Sequence, residues 1–221
     1  MEADNQIRII LIDDQAIVRA ALKALLNSVA RFQVVGDEGD ARRGIELVAE
    51  LRPDVVILDI TMVGLSGLDA IGPIKRASPQ TRVLMASQHA GMKFVQQALQ
   101  AGADGYLSKD SDPAELSLAI EAIVRGDSYL SPKVASGFMA RAVRGEAASA
   151  DEASPLAVLT PREREVFQLL AVGKANKEVA AALDLSLGTV KKHRENLQRK
   201  LDCHSAAEIA RLAIREGLLE I

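Results

Sequence analysis

Two short runs of apolar, mostly β-branched residues constrain the fold of this chain more than any other feature. Residues 7–12 read Ile-Arg-Ile-Ile-Leu-Ile, and residues 55–58 read Val-Val-Ile-Leu. Runs of this kind predict strands that are buried on both faces, as in a parallel sheet. Acidic residues follow each run, Asp13 and Asp14 after the first and Asp59 after the second.

The segments around these runs predict three further strands and five helices. The other strands are expected at residues 32–36, 82–86 and 105–107, and the helices at about 17–29, 43–51, 67–76, 93–101 and 113–125. Strands that alternate with helices indicate a parallel sheet with right-handed crossovers. The predicted fold of residues 1–125 is therefore an α/β domain with five parallel strands and five helices.

Composition narrows the environment in which the chain works. The 221 residues are enough for one large domain or two ordinary ones, and a hydrophobic content of 48% is ample for a packed core. No apolar run approaches the roughly 20 residues needed to span a bilayer, and the acidic N-terminus does not resemble a signal peptide. Cys203 is the only cysteine, so no intrachain disulfide can form. We therefore expect a cytoplasmic protein without membrane contact.

Polar side chains lie at four of the predicted strand ends. Asp13 and Asp14 end the first strand, Asp59 the third, Ser87 the fourth and Lys109 the fifth. Because the carboxyl ends of parallel strands share one edge of the sheet, these side chains are expected to converge. Close carboxylates repel unless a cation joins them, and oxygen ligands of this type suit Mg²⁺. Alone, Asp59 is as well explained as a turn cap; the five residues together favour a site that binds Mg²⁺ and a phosphoryl group.

Residues 7–125 resemble the receiver domain of bacterial response regulators, which has a flavodoxin-like fold. The resemblance implies that Asp59 is a phosphoacceptor that receives its phosphoryl group from a partner histidine kinase. The implied Mg²⁺ ligands are Asp13, Asp14, Asp59 and the backbone carbonyl of Thr61, and the implied switch residues are Ser87, Tyr106 and Lys109. Val63 departs from the family pattern, since a proline usually stands there, but no ligand is lost.

The chain changes character after residue 125. Residues 145–155 are small, polar and aperiodic, which predicts a flexible linker, whereas residues 131–144 can hold a helix because Pro132 suits a first turn. Residues 1–155 carry 16 Lys and Arg against 21 Asp and Glu, and residues 156–221 carry 11 against 9. The predicted divisions are a first domain at 1–125, a linker at 126–155 and a mildly basic second domain at 156–221.

Capping signals predict that the second domain is an all-α module of four short helices. Thr160 is followed by proline and then, at the third helical position, by Glu163, which together form a capping box. Ser205 and Glu208 form another. The second and third helices are predicted to be capped by Asn176 and Ser186, the third to end at Leu201, and the fourth to end at Gly217.

The third of these helices has two distinct faces. Its apolar residues, Val190, Leu197 and Leu201, form one stripe that is expected to face the core. The opposite face carries Lys191, Lys192, Glu195 and Arg199. Such a face is either ordinary solvated surface or the outer side of a recognition helix, which lies in the DNA major groove.

Specific contacts with double-stranded DNA can be assigned from side-chain chemistry. Lys191 and Lys192 can contact guanine or phosphate, and Glu195 can accept a hydrogen bond from cytosine. Thr189 and Lys177 are better placed for phosphate, which sets register and not sequence.

Residues 159–212 resemble the LuxR-type helix-turn-helix. The motif segments are Leu-Thr-Pro-Arg-Glu-Arg-Glu-Val at 159–166, Asn-Lys-Glu-Val-Ala at 176–180 and Gly-Thr-Val-Lys-Lys-His at 188–193. With the receiver, they make the chain similar to a NarL/FixJ-type response regulator: a flavodoxin-like α/β receiver followed by a four-helix DNA-binding domain.

Two further expectations come with this second resemblance. Arg194 stands where the family has an apolar residue, and we expect its stem to pack and its guanidinium to reach a phosphate. The family tends to form homodimers through the last helix, here 205–216, with Ile209, Leu212 and Ala213 as candidate contacts.

Three alternatives compete with a phosphorylation-controlled regulator. An aspartyl-phosphate phosphatase of the haloacid dehalogenase type usually has a second aspartate two residues after the nucleophile, where this chain has Thr61. A regulator of the same architecture could instead respond to protein or small-molecule partners without phosphorylation. A pure adaptor would lack DNA binding altogether. Beyond self-catalysed phosphoryl transfer and dephosphorylation, we expect no enzymatic activity.

Overall fold

A computed structural model of the protein describes residues 6–62, 64–88, 91–144, 154–216 and 218–219. Contacts divide the chain into two compact units, of which the first lies mostly before residue 150 and the second mostly after it. None of the helices within these ranges has the length and apolar character that crossing a bilayer requires.

The first unit is a parallel sheet flanked by helices. Its strands are β1 (Ile7–Ile12), β2 (Phe32–Glu38), β3 (Val55–Leu58), β4 (Arg82–Ser87), β5 (Gly105–Ser108) and β6 (Tyr129–Leu130). Its helices are α1 (Ala16–Asn27), α2 (Ala41–Leu51), α3 (Gly67–Ala77), α4 (Met92–Ala101), α5 (Pro113–Arg125) and α6 (Pro132–Arg144). The strands lie in the order β2-β1-β3-β4-β5-β6, and the predicted α/β receiver fold is confirmed.

The two apolar runs form the centre of this sheet. Strand β1 pairs with β2 on one side and β3 on the other, and β3 also pairs with β4, in each case in parallel. All four residues of β3 are buried, as are five of the six in β1. Because helices cover both faces of the sheet, these strands can be apolar throughout. The carboxyl end of each strand is therefore held by the core beneath it.

The sheet has one strand more than the five predicted. Tyr106 in β5 pairs with Leu130 in β6, and the N–H of Ser131 donates to the carbonyl of Tyr106 over 3.0 Å. A two-residue strand shows no alternation of apolar and polar residues, which is why the sequence did not predict it. The segment after α5 thus begins as part of the sheet.

Helix α6, expected within residues 131–144, packs against α4 and β5. The carbonyl of Ser131 accepts from the N–H groups of Val134 and Ala135, which starts the helix. A Cβ at Gly137 would lie 3.3 Å from the Sδ of Met92, so the glycine permits close contact with α4. Of the stretch predicted to be flexible, 145–155, residues 145–153 lie outside the described residues, as does Val63. Its last two residues are ordered, because Ser154 is buried and caps a 3-10 helix that begins at Pro155.

The second unit contains the four predicted α-helices. A 3-10 helix at Pro155–Val158 precedes α7 (Pro161–Ala171), α8 (Asn176–Ala182), α9 (Leu187–Leu201) and α10 (Ala206–Arg215). The predicted capping boxes are present at the N-termini of α7 and α10. The side chain of Ser186 caps α9 by accepting from the N–H of Thr189. The core is formed mainly by Val166, Phe167, Leu169, Val179, Val190, Leu197, Ile209, Leu212 and Ala213.

One predicted cap is wrong. Ala175, and not Asn176, is the N-cap of α8, and the Glu178 side chain accepts from the N–H of Ala175 over 2.7 Å. Asn176 is the first helical residue, so its side chain is available for another partner. Gly217, predicted to close the last helix, lies outside the described residues.

Candidate functional site

The carboxyl ends of four strands meet at one edge of the first unit. The N–H of Asp59 donates to the carbonyl of Ile12 over 2.9 Å, which aligns the ends of β3 and β1. The N–H of Lys109 donates to the carbonyl of Ser87 over 2.9 Å, which aligns the ends of β5 and β4. The sheet thereby brings together the strand-end residues that the sequence predicted to converge.

Three carboxylates form the centre of this edge. One oxygen from each of Asp13, Asp14 and Asp59 lies within 4.8 Å of the others. Asp13 and Asp59 are only 4% and 3% exposed, whereas Asp14 is half-buried. The Nζ of Lys109 lies 2.7 Å from Oδ2 of Asp13 and 3.1 Å from Oδ2 of Asp59. The ammonium therefore bridges the two most deeply buried carboxylates.

Burial and mutual repulsion shape the protonation of this cluster. Burial raises the pKa of Asp59, the charge of Asp13 raises it further, and Lys109 and the N–H of Ile60 partly offset the rise, so that it reaches about 6. Burial alone lowers the pKa of Lys109, but its hydrogen bond to Asp13 and the charge of Asp59 outweigh burial and raise it overall. At neutral pH, Lys109 is charged and Asp59 is mostly ionised.

Ser87 and Tyr106 lie on β4 and β5, the strands that follow β3 in the sheet. Both are fully buried, and their hydroxyl groups share a hydrogen bond. Burial raises the pKa of Tyr106, the hydrogen bond with Ser87 partly offsets the rise, and the charge of Asp59 adds to it. The charge on Asp59 therefore affects the phenol of Tyr106. The backbone carbonyl of Tyr106 accepts a hydrogen bond from Ser131.

The donors at this edge fit a hard divalent cation. Three carboxylates within reach of one ion, one of them half-buried, provide the oxygen ligands that Mg²⁺ prefers while leaving positions for water. Thr61 lies two residues after Asp59 in the loop that leaves β3, and its backbone carbonyl stays a predicted ligand.

Two residues that support this edge were not assigned a role from the sequence. The N–H of Gly67 donates to the carbonyl of Ile60 over 3.0 Å, and a Cβ there would lie 1.8 Å from the carbonyl oxygen of Asp59. Only glycine permits this approach. Arg19 donates from Nη1 to the carbonyl of Asp13 over 2.5 Å. Gly64 and Gly67 can be seen in the sequence shortly after Asp59. A contact from an arginine side chain to a backbone carbonyl, by contrast, produces no sequence pattern.

The second candidate surface is the outer face of α9. Val190 and Leu197 are buried and Leu201 is partly buried against the core. On the opposite face, Lys191, Lys192, Glu195 and Arg199 are exposed, as the sequence predicted. An ion pair fixes α9 to α7, since the Nζ of Lys200 lies 2.5 Å from Oε2 of the buried Glu163 on α7. A cationic face on a rigidly held helix can enter the major groove.

The predicted phosphate contacts have different surroundings. Lys177 is exposed at the start of α8, and the hydroxyl of Thr189 lies 2.8 Å from that of Ser186. Arg194 donates from Nη1 to Oδ1 of Asn176 over 3.1 Å, which ties α9 to α8. The remaining N–H groups of its guanidinium are the ones that a phosphate would use.

The three candidate dimer contacts on α10 are wrong. Ile209, Leu212 and Ala213 are buried in the core of their own unit and present no surface to a second copy. Within the described part of α10, the large apolar side chain that is exposed is Ile214, at 37%. Dimerisation through 205–216 stays a prediction that would have to use the outer side of this helix.

Both sites fit one class of protein. A buried acidic cluster with a bridging lysine lies at the sheet edge of the first unit, and a cationic recognition helix lies in the second. This is the class in which a receiver domain is joined to a helix-turn-helix.

Comparisons with known proteins identify the family. Residues 9–121 match the response regulator receiver domain, and residues 157–213 match the luxR family of bacterial regulatory proteins. The chain is 36% identical to the transcriptional regulatory protein MctR of Rhizobium johnstonii, over 97% of this chain and 96% of MctR. It is 34% identical to the nitrate/nitrite response regulator protein NarL of Escherichia coli, over 91% of this chain and 92% of NarL.

A solved structure agrees with these relatives. A two-component response regulator of the LuxR family from Aurantimonas sp. SI85-9A1 is 38% identical, covers 62% of this chain and 99% of its own, and superposes with a TM-score of 0.61. The chain therefore belongs to those two-component response regulators that combine a receiver domain with a LuxR-type DNA-binding domain and regulate transcription.

Proposed function

We propose that phosphorylation of Asp59 by a partner histidine kinase controls sequence-specific binding of α9 to double-stranded DNA. The observation that carries the proposal is the buried Asp59 carboxylate, grouped with two further carboxylates and paired with Lys109. A carboxylate whose pKa is about 6 is mostly ionised at neutral pH, so an oxygen of Asp59 is available to attack phosphorus.

The carboxylates of Asp13, Asp14 and Asp59, with the carbonyl of Thr61, would hold Mg²⁺. When bound, the ion neutralises the charge that develops on the transferred phosphoryl group. Lys109 already lies between Asp13 and Asp59, so its ammonium can pair with a phosphoryl oxygen on Asp59. We expect these residues to catalyse only the transfer of a phosphoryl group to Asp59 and its later hydrolysis from Asp59.

The proposed switch uses Ser87, Tyr106 and Lys109. A phosphoryl group on Asp59 would attract the hydroxyl of Ser87, which now shares a hydrogen bond with Tyr106. Release of that bond changes the surroundings of Tyr106 and favours a second conformation, as a shift between two populated states. The bond between the Tyr106 carbonyl and Ser131 supports β6 and α6 as the first elements to respond.

The proposed DNA contacts lie on α8 and α9. Lys191 and Lys192 contact guanine or phosphate, Glu195 accepts from cytosine, and the phosphate contacts are Lys177, Thr189 and Arg194. Arg199 is a further DNA contact on the same face of α9. The exposure of the α9 face and its support by Glu163 favour this assignment.

We further propose a receiver at 1–125, a connecting segment at 126–155, a DNA-binding domain at 156–221, and a homodimer through 205–216 in the active state. Because its target is DNA, the protein would act in the cytoplasm.

Phosphoryl uptake from acetyl phosphate tests this proposal. The full chain, Asp59→Asn and the control Asp127→Asn are incubated with labelled acetyl phosphate and Mg²⁺, and the bound label is counted. We expect uptake by the wild type and by the control, which changes an exposed carboxylate, and none by Asp59→Asn. Undiminished labelling of Asp59→Asn would refute the assignment, and a wild type that takes up no label would favour control by other partners.

A further inference from the structure

Arg19 contacts the acidic cluster from behind. It lies in the first turn of α1, and its side chain is 19% exposed. Its Nη1 donates to the backbone carbonyl of Asp13 over 2.5 Å, and its Nε lies 3.6 Å from Oδ2 of Asp37 in β2. The guanidinium thus joins the end of β1 to the end of β2.

The carbonyl that Arg19 holds belongs to the peptide between Asp13 and Asp14. A peptide unit is planar, so fixing its carbonyl also fixes the direction in which the next residue begins. The N–H of Asp13 donates to the carbonyl of Glu38 over 3.1 Å, and Oδ1 of Asp13 accepts from the N–H of Gln15 over 2.9 Å. With Arg19, every part of the Asp13 backbone that precedes Asp14 has a partner.

The surroundings of Arg19 keep its side chain in this position. Asp37 is also bonded to Lys23, whose Nζ lies 2.6 Å from Oδ1, so the carboxylate that attracts Arg19 is itself held. A Cβ at Gly39 would lie 3.0 Å from Nη1 of Arg19, which means that the glycine leaves room for the guanidinium. A planar fork can donate to a carbonyl from one nitrogen while another lies beside a carboxylate, which an ammonium cannot do from one point. Here Nη1 makes the hydrogen bond to Asp13, and the buried Nε approaches Asp37 at ion-pair distance only.

We propose that Arg19 is a positioning residue of the Mg²⁺ site, because it orients the peptide that sets the carboxylates of Asp13 and Asp14 relative to each other. The inference rests on the proposed function, since it assumes that these carboxylates hold the ion. Outer-shell partners of metal ligands typically contribute about 10-fold to 100-fold in metal affinity.

The charge of Arg19 makes the prediction distinctive. Removing a cation near a cation site would by itself strengthen Mg²⁺ binding, because it removes repulsion. If Arg19 acts through orientation, its loss weakens Mg²⁺ binding instead. The direction of the change therefore separates orientation from simple electrostatics.

Calorimetric Mg²⁺ titration of the full chain tests the inference. The variants are Arg19→Met, which removes both contacts, and Arg19→Lys, which keeps the charge near Asp37. The control is Lys23→Met, which removes the other partner of Asp37 but leaves the bond to Asp13. We expect the Mg²⁺ dissociation constant to rise at least about 10-fold in both Arg19 variants and to change less than about 2-fold in the control. Urea unfolding without Mg²⁺ is measured in parallel, so that a change in affinity is compared at known stability.

The outcomes are distinguishable. Arg19 variants that bind Mg²⁺ as tightly as the wild type would overturn the role of Arg19 and leave the proposed function intact. A wild type that binds no Mg²⁺ would overturn the proposed function itself. If Arg19→Met does not fold, Arg19→Lys decides, because its retained charge preserves the ion pair with Asp37.

Discussion

The strand-end cluster and the outer face of α9 carry the same kinds of side chain in opposite environments. Asp13, Asp59 and Lys109 are at most 10% exposed at the side chain, whereas Lys191 and Glu195 are exposed. A buried charge has a large cost and must be paired. An exposed charge has little effect on folding and acts mainly on a charged partner. A change of one charge can therefore alter the structure around the receiver site, whereas the exposed face of α9 affects DNA binding through several charges together.

The pKa of Asp59 gives the size of this difference. A rise from 3.8 to about 6 on folding corresponds to about 3 kcal/mol by which the ionised carboxylate opposes folding, at 1.36 kcal/mol per pKa unit. The site therefore keeps a carboxylate that destabilises the metal-free protein, as expected where a buried charge serves a function.

The largest predicted effect is that Asp59→Asn stabilises the metal-free protein. Asparagine has a similar shape and no charge to desolvate, so the free energy of unfolding near pH 8 should rise by about 1 to 3 kcal/mol. The matched change at an exposed carboxylate, Glu195→Gln, should alter it by less than about 0.5 kcal/mol. Urea unfolding in the presence of a chelator measures both, and an Asp59→Asn protein less stable than the wild type would contradict the comparison.

The pH dependence gives a somewhat smaller effect with a definite sign. Because the folded pKa of Asp59 is raised, its ionisation opposes folding fully above pH 6 and not at all well below pH 3.8. Lowering the pH from 8 to 5 should therefore reduce the stability difference between Asp59→Asn and the wild type to about half. Urea unfolding of both proteins across this range measures the difference. A difference that widens as the pH falls would show that burial does not control this carboxylate.

The smallest predicted effect on folding comes from α9. Replacing Lys191 and Lys192 by alanine should leave the free energy of unfolding within about 0.5 kcal/mol. The same change should weaken DNA binding and reduce the slope of log affinity against log salt by about 2 if both lysines contact phosphate. Lys133→Ala, at an exposed lysine of the first unit, is the control, and fluorescence anisotropy at several salt concentrations measures the slope. An unchanged slope would assign the two lysines to base contacts or to none.

The sequence predicted the features that depend on local patterns. The β1 and β3 runs located Asp13 and Asp59 at strand ends, and the capping boxes of Thr160 and Ser205 located two helix starts. In each case the residues that determine the structure are neighbours in the chain, so their spacing carries the information.

Features that depend on long-range packing could not be predicted in this way. Strand β6 is too short to show a period, and it forms because β5 offers an unpaired edge. Asn176 looked like a cap, but Ala175 is the N-cap of α8, with its N–H bonded to Glu178, and Asn176 accepts from Arg194. The buried position of Ile209, Leu212 and Ala213 likewise depends on how α10 packs on the rest of its unit.

The central claim is that phosphorylation of Asp59 controls DNA binding by α9. DNA selected from a random double-stranded pool by the phosphorylated protein is titrated with the full chain and with Asp59→Asn, each with and without acetyl phosphate and Mg²⁺. We predict that acetyl phosphate strengthens binding by the wild type at least about 5-fold, within the usual range of coupling between sites, and leaves Asp59→Asn unchanged. Equal affinity of the phosphorylated and unphosphorylated wild type, or an equal response of Asp59→Asn, would contradict the claim.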